Sequence, residues 1–147
     1  KAQRFASMVN EHPQFQLTSE PELNILTYRY CPQSVQDALP VAPDNLRCRI
    51  NGLLDQVNRL VQKAQRELGK SFVSRTRLRV PPDSDKMVTV LRVVLANPLT
   101  TDDILAAVLE EQTRIVKHPE TQAMMDEVLA LCAEVVDNAS PAASVGR

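Results

Sequence analysis

From Leu46 onward the apolar residues fall at Leu46, Ile50, Leu53, Leu54, Val57, Leu60, Val61, Ala64 and Leu68. Steps of three and four place them on one side of a helix about six turns long. Pro43-Asp44-Asn45 supplies a start signal, and Gly69 fits the left-handed stop position. A helix with so long an apolar side is not stable alone and needs a facing layer. The opposite side carries Arg49, Asp55, Arg59, Gln62 and Arg66, which are expected to face solvent.

The rest of the chain offers that layer. Val88 to Leu95 is β-branched and apolar almost throughout and stops at Ala96-Asn97-Pro98. Phe72 to Val80 alternates, with Val73, Arg75, Arg77 and Arg79 on one side. Pro81-Pro82-Asp83-Ser84-Asp85 reads as the connecting loop, so these two strands should pair antiparallel. A further strand is expected over Leu23–Tyr30, closed by Pro32. Helical turns are expected over Ala2–Asn10, ended by His12-Pro13. Thr100-Thr101-Asp102-Asp103 opens a helix whose buried stripe is Ile104, Leu105, Val108, Leu109, Ile115 and Val116. A last helix buries Met124, Met125, Val128, Leu129, Cys132, Val135 and Val136. The expected class is α+β: a small three- to four-stranded, mostly antiparallel sheet with helices on one face. Residues 1–137 form one domain, and residues 138–147 are expected to be a mobile tail.

Composition removes several functions. The 17 basic and 18 acidic residues nearly cancel, so no broad nucleic-acid or anionic-membrane surface is expected. No apolar run approaches the roughly 20 residues needed to cross a bilayer. The 3 glycines cannot build a glycine-rich phosphate loop. The 3 cysteines lack CxxC spacing and read as core thiols in a reducing, cytoplasmic setting. The start, Lys1-Ala2-Gln3-Arg4, has neither methionine nor signal character, and a piece of a longer polypeptide is expected.

One charge stands out. Arg92 interrupts the run Val88–Leu95. A buried arginine without a partner is costly. Arg92 therefore reaches an edge, pairs with a carboxylate of the chain, or meets an anion from outside. Strand alternation sets Val88, Val90, Arg92 and Val94 on one face and the leucines on the other. If the leucines meet the helices, Arg92 lies at the centre of an uncovered valine face.

The segment Leu91-Arg92-Val93-Val94-Leu95-Ala96-Asn97-Pro98-Leu99-Thr100-Thr101 resembles the C-terminal domain of group II pyridoxal-phosphate-dependent amino-acid decarboxylases. That family includes the glutamate, aspartate and diaminobutyrate enzymes. Leu26-Thr27-Tyr28-Arg29-Tyr30-Cys31-Pro32 and Phe72-Val73-Ser74-Arg75-Thr76-Arg77-Leu78 are similar to its other small-domain strands. Order and spacing agree from about Ala2 to Val116. The resemblance implies the small domain of the aspartate-aminotransferase-like fold. It implies that Arg92 binds a substrate carboxylate, and that the parent is a cytoplasmic, dimeric carbon-carbon lyase using pyridoxal phosphate. Glutamate, aspartate or a related amino acid would be the substrate.

The family's cofactor lysine follows a histidine on the large domain. Here His12 and His118 precede prolines, and Lys117-His118 is the reverse order. The resemblance therefore implies that the cofactor-binding large domain is a missing partner and that this fragment alone is inactive. Two alternatives stay open. One is the small domain of an aminotransferase or another lyase of like fold. The other is a free-standing α+β interaction or sensing module.

Other candidates are weaker. Asp102-Asp103 and Glu110-Glu111 are adjacent on helices and point apart, so capping and solvation explain them. No HxxxH or CxxC suggests a metal site. Arg75, Arg77 and Arg79 form either an anion patch or a solvated, edge-protecting face. No serine has a histidine placed as its base.

Overall fold

The computed structural model describes residues 1–69, 73–80 and 83–138, without the side chains of residues 83–85. The described residues form five helices: α1 (Ala2–Glu11), α2 (Gln33–Ala38), α3 (Asp44–Leu68), α4 (Asp102–Val116) and α5 (Pro119–Asn138). A short 3-10 turn, Leu39–Val41, follows α2. The strands are β1 (Phe15–Glu22), β2 (Ile25–Tyr30), β3 (Ser74–Val80) and β4 (Asp83–Val94). They form one antiparallel sheet in the order β1-β2-β4-β3. The α+β class and the antiparallel sheet are as the sequence indicates.

The main core lies between the helices and one sheet face. Leu26, Tyr28 and Tyr30 of β2 and Leu91 and Val93 of β4 pack there with Ile50, Leu54, Val57 and Val61 of α3. Four of the scarce aromatics, Phe5, Phe15, Tyr28 and Tyr30, gather together. Phe15 meets both Tyr28 and Tyr30 edge-on, and Phe5 meets Tyr28 with ring centroids 5.5 Å apart. Such pairs add about 0.5–1.5 kcal/mol each beyond burial. Thr101 Oγ1 caps α4 by accepting from Ile104 N–H, and Gly69 ends α3 at φ 69°. Both features follow from the sequence signals.

Several expectations need correction. β1 was not expected, and residues Leu23–Asn24 form the turn of a β1–β2 hairpin rather than the start of a strand. β1 carries Pro21 and two register irregularities, as an edge strand can. Of the connection expected at 81–85, Pro81 and Pro82 lie outside the described residues, and β4 already begins at Asp83. Phe72 and residues 139–147 of the expected tail also lie outside them. Ile104, Leu129 and Val136 are exposed, while Gln112 and Leu131 take buried places on α4 and α5.

The largest correction concerns α3. Asp55 and Gln62 are buried, not solvated. They belong to a second stripe, Asn51, Asp55, Asn58, Gln62 and Gln65, spaced 4, 3, 4 and 3 along the helix. Pairing between β2 and β4 runs from Ile25↔Val94 to Tyr28↔Leu91 and stops. Beyond that point α3 supplies the hydrogen bonds. Tyr30 N–H donates to Asn58 Oδ1 at 2.7 Å, and Asn58 Nδ2 donates to Tyr30 O at 3.1 Å. Thr89 N–H donates to Asp55 Oδ1 at 2.8 Å. Further along, Tyr28 Oη donates to Gln112 Oε1, and Gln112 Nε2 donates to Gln65 Oε1. Gln65 Nε2 in turn donates to Val108 O, and Gln62 Nε2 to Val73 O. Buried backbone groups need such partners.

Replacing Asn58 with leucine keeps the bulk but strands both polar groups of Tyr30. A loss of about 2–6 kcal/mol is expected, from about 1–3 kcal/mol for each of the two buried unsatisfied groups. A lowered urea midpoint checks this, and an unchanged midpoint contradicts it.

The thiols give a second check. Burial pushes the Cys31 thiol up from 9.0 to about 11, an effect the nearby Arg29 charge partly offsets. Burial also raises Cys132, whereas Cys48 is exposed. A raised folded pKa means that Cys31 favours folding below pH 9.0 and loses that contribution as pH rises through about 11. At neutral pH a thiol reagent should modify Cys48 first and reach Cys31 and Cys132 only on unfolding. Equal rates for all three would contradict the burial.

Candidate functional site

Alternation and register set the candidate site on the sheet face away from the main core. Arg92 lies opposite Thr27 of β2 on one side and Ser74 of β3 on the other. It occupies the middle of the sheet, yet its side chain is exposed. Ile25, Val94 and the turn residue Leu23 are exposed on or beside the same face. The opposite end of the face is closed. Val88 and Val90 are buried with Val80 and Leu78 in a small second cluster. The valine face is therefore not uniformly bare, and only the half around Arg92 is open.

Of the three fates open to Arg92, the described residues show no pairing within the chain. Among the described residues, no carboxylate lies within 4.0 Å of its guanidinium. No side-chain hydrogen bond holds it either, while Ser74 Oγ donates to its backbone oxygen at 3.3 Å. Its neighbours are hydroxyls. Thr18 Oγ1 donates to Thr27 Oγ1 at 2.8 Å, and Thr27 Oγ1 donates to Ser19 Oγ at 2.7 Å. Thr27 N–H also donates to Ser19 Oγ, fixing the bulged part of β1 against β2. The result is a planar cation on a central strand with no competing anion among the described residues. Such a fork fits a carboxylate bidentately.

The arginine that is buried is Arg29, which the sequence reading passed over. It is 2% exposed and lies on the same face as Thr27. Nε donates to Gln16 Oε1 at 2.8 Å, and Nη1 donates to Asn51 Oδ1 at 3.0 Å. Neutral amide oxygens from β1 and α3 thus hold a buried cation, with no carboxylate within 4.0 Å among the described residues. The available signal was its position between Tyr28 and Tyr30 in an otherwise apolar strand.

The turn after β4 keeps the resembling motif in order. Asn97 Oδ1 accepts from Leu99 N–H at 2.9 Å, and Asn97 O accepts from Lys1 Nζ. Lys1, Lys63, Lys86 and Lys117 are exposed, and no metal-binding cluster occurs among the described residues. No described helix is long and apolar enough to cross a membrane.

Comparisons with known proteins bear on this face. No family profile matches the chain. Over 120 residues it is 48% identical to an aspartate 1-decarboxylase of Aliivibrio fischeri. The match takes in 82% of this chain and 22% of that protein, so the chain spans about a fifth of its relative. Three solved structures share the fold. The glutamate decarboxylase domain of a Vibrio parahaemolyticus diaminobutyrate-pyruvate transaminase and L-2,4-diaminobutyrate decarboxylase matches at TM-score 0.55 and 19% identity. It aligns over 78% of this chain and 19% of that one. Mouse CSAD matches at 0.56 and 19%, over 76% of this chain and 20% of that one. Oryza sativa TDC, solved with PLP and tryptamine, matches at 0.53 and 17%, over 84% and 21%. At these identities the structures establish the fold alone. The chain is thus similar in sequence to part of a decarboxylase and similar in fold to parts of decarboxylases.

Chemical reactivity separates the two arginines. A dicarbonyl reagent applied to the folded protein should modify Arg92 and spare Arg29, as read by peptide mass mapping. Modification of Arg29 at the rate of Arg92 would contradict their placement.

Proposed function

We propose that this chain is the C-terminal small domain of a pyridoxal-phosphate-dependent amino-acid decarboxylase, a carbon-carbon lyase. Aspartate is the favoured substrate, with glutamate or a related amino acid next. The observation that carries the reading is Arg92: an exposed guanidinium on a central strand, with no carboxylate partner among the described residues, within a sequence 48% identical to part of an aspartate 1-decarboxylase. The fold shared with decarboxylase domains supports it.

The cofactor would supply the electron sink once carbon dioxide leaves. The residues present do not fit it as its holders. No lysine follows a histidine, and 3 glycines provide no phosphate cradle. In this proposal the remainder of the polypeptide holds the cofactor, the fragment alone is inactive, and the whole works as a cytoplasmic dimer. The open half of the Arg92 face meets the large domain.

The role left to this chain is positioning. Arg92 donates two parallel N–H bonds to a substrate carboxylate and fixes the direction of the bond to be broken. Water would compete for the same donors, and the apolar Ile25 and Val94 beside them favour its exclusion on docking.

In the full-length polypeptide, Arg92→Ala should lower kcat/KM by on the order of a hundredfold, as expected for losing about 3 kcal/mol of charge-assisted hydrogen bonding. Arg92→Lys keeps the charge without the fork and should fall between that variant and wild type. Wild-type kinetics from Arg92→Ala would remove this residue from substrate binding.

A further inference from the structure

A cation-lined cleft lies on the other side of the sheet from Arg92. A cleft of about 230 Å³ lies between α3 and β3, lined by Arg59, Arg75, Thr76, Arg77 and Thr89. Three of its five lining residues are cations and none is acidic. The chain as a whole has a net charge of −1, so composition does not force such a concentration.

The arginines come from rigid elements. Arg59 lies one helical turn beyond Asp55 on α3, and Arg75 and Arg77 are alternate residues on one side of β3. Arg77 is anchored: Nη2 donates to Met87 O at 2.8 Å and stands 3.9 Å from Asp55 Oδ2. That carboxylate is already committed through its other oxygen to Thr89 N–H. Among the described residues, Arg59 and Arg75 have no carboxylate within 4.0 Å and no side-chain hydrogen bond to protein. Like charges gathered in one cleft repel, and a bound anion relieves the repulsion.

We propose that this cleft binds a phosphate group. A carboxylate offers two oxygens and one charge, which one guanidinium fork satisfies. A phosphate offers more acceptor oxygens and more charge, which suits the uncommitted guanidiniums of Arg59 and Arg75, from two elements, with the anchored Arg77 charge beside them. Arg75 pairs across the ladder with Leu91, the neighbour of Arg92 that points the other way. The cleft and the Arg92 face therefore lie on opposite sides of the sheet, and the inference stands independently of the proposed reaction.

The test is calorimetric titration of inorganic phosphate and of glycerol phosphate into the full-length polypeptide, saturated with its cofactor, at ionic strength held constant with chloride. Saturable binding is expected, weakened at least tenfold in Arg59→Ala/Arg75→Ala. Arg49→Ala, on the same helix beside Glu127, should leave it unchanged. Arg75→Ala alone should weaken binding too and serves if the double variant melts early. Tighter binding of glycerol phosphate would identify the ligand as a phosphorylated small molecule, and tighter binding of inorganic phosphate would identify the free ion. No saturable heat, or equal heat from wild type and the Arg75 variants, would overturn the proposal.

Discussion

The fold depends on one substitution of hydrogen-bonding partners: the side chains of α3 take the place of a β ladder. Where β2 and β4 part after Tyr28↔Leu91, their backbone groups face the interior and cannot reach water. Asn58 answers both the donor and the acceptor of Tyr30, and Asp55 answers the donor of Thr89. A buried orphan group costs about 1–3 kcal/mol, so an apolar helix face here would forfeit several kcal/mol. The same stripe continues through Gln62 and Gln65 to Val73, Val108 and Gln112, tying sheet, α3 and α4 together. Each such bond is directional, so it fixes the rotation and register of α3 more closely than apolar contact does.

That arrangement sorts the charges. The first residue of the stripe, Asn51, reaches Arg29 and, with Gln16, makes its burial tolerable. Both partners are neutral amides. Arg92, farther along the same face, receives no such partner among the described residues and is exposed. Two strand arginines of like sequence context thus have opposite fates. The difference is set by where α3 approaches the sheet, not by anything local to either residue.

This explains what the sequence could and could not convey. The apolar stripe from Leu46, the threonine cap of α4, the glycine stop of α3 and the face occupied by Arg92 all follow from local spacing and were legible. The polar stripe was legible in its period but not in its meaning. Asn, Gln and Asp on a helix normally signal water, and only the splayed strands turn Asp55 and Gln62 inward. β1 escaped notice because Gln16, Thr18, Ser19, Glu20 and Pro21 give an edge strand little apolar signal. Arg29 escaped because a buried cation is improbable until its two amide partners, distant in sequence, are seen beside it. The valines misled in part: alternation assigned their face correctly, but Val88 and Val90 close against Val80 and Leu78 and leave only half of it open.

The functional account follows from that half-open face. In the proposed function, the Arg92 guanidinium, set among hydroxyls and exposed aliphatic side chains, receives a carboxylate that arrives with a covering surface. The resemblance of the flanking sequence to decarboxylases suggests whose carboxylate it is. The most direct test is a crystal structure of the full-length polypeptide with an unreactive aspartate analogue bound. The account predicts two Arg92 guanidinium nitrogens within about 3 Å of one analogue carboxylate, the ordinary range for such bonds. An analogue whose carboxylates are held elsewhere, with Arg92 still in solvent, would contradict it.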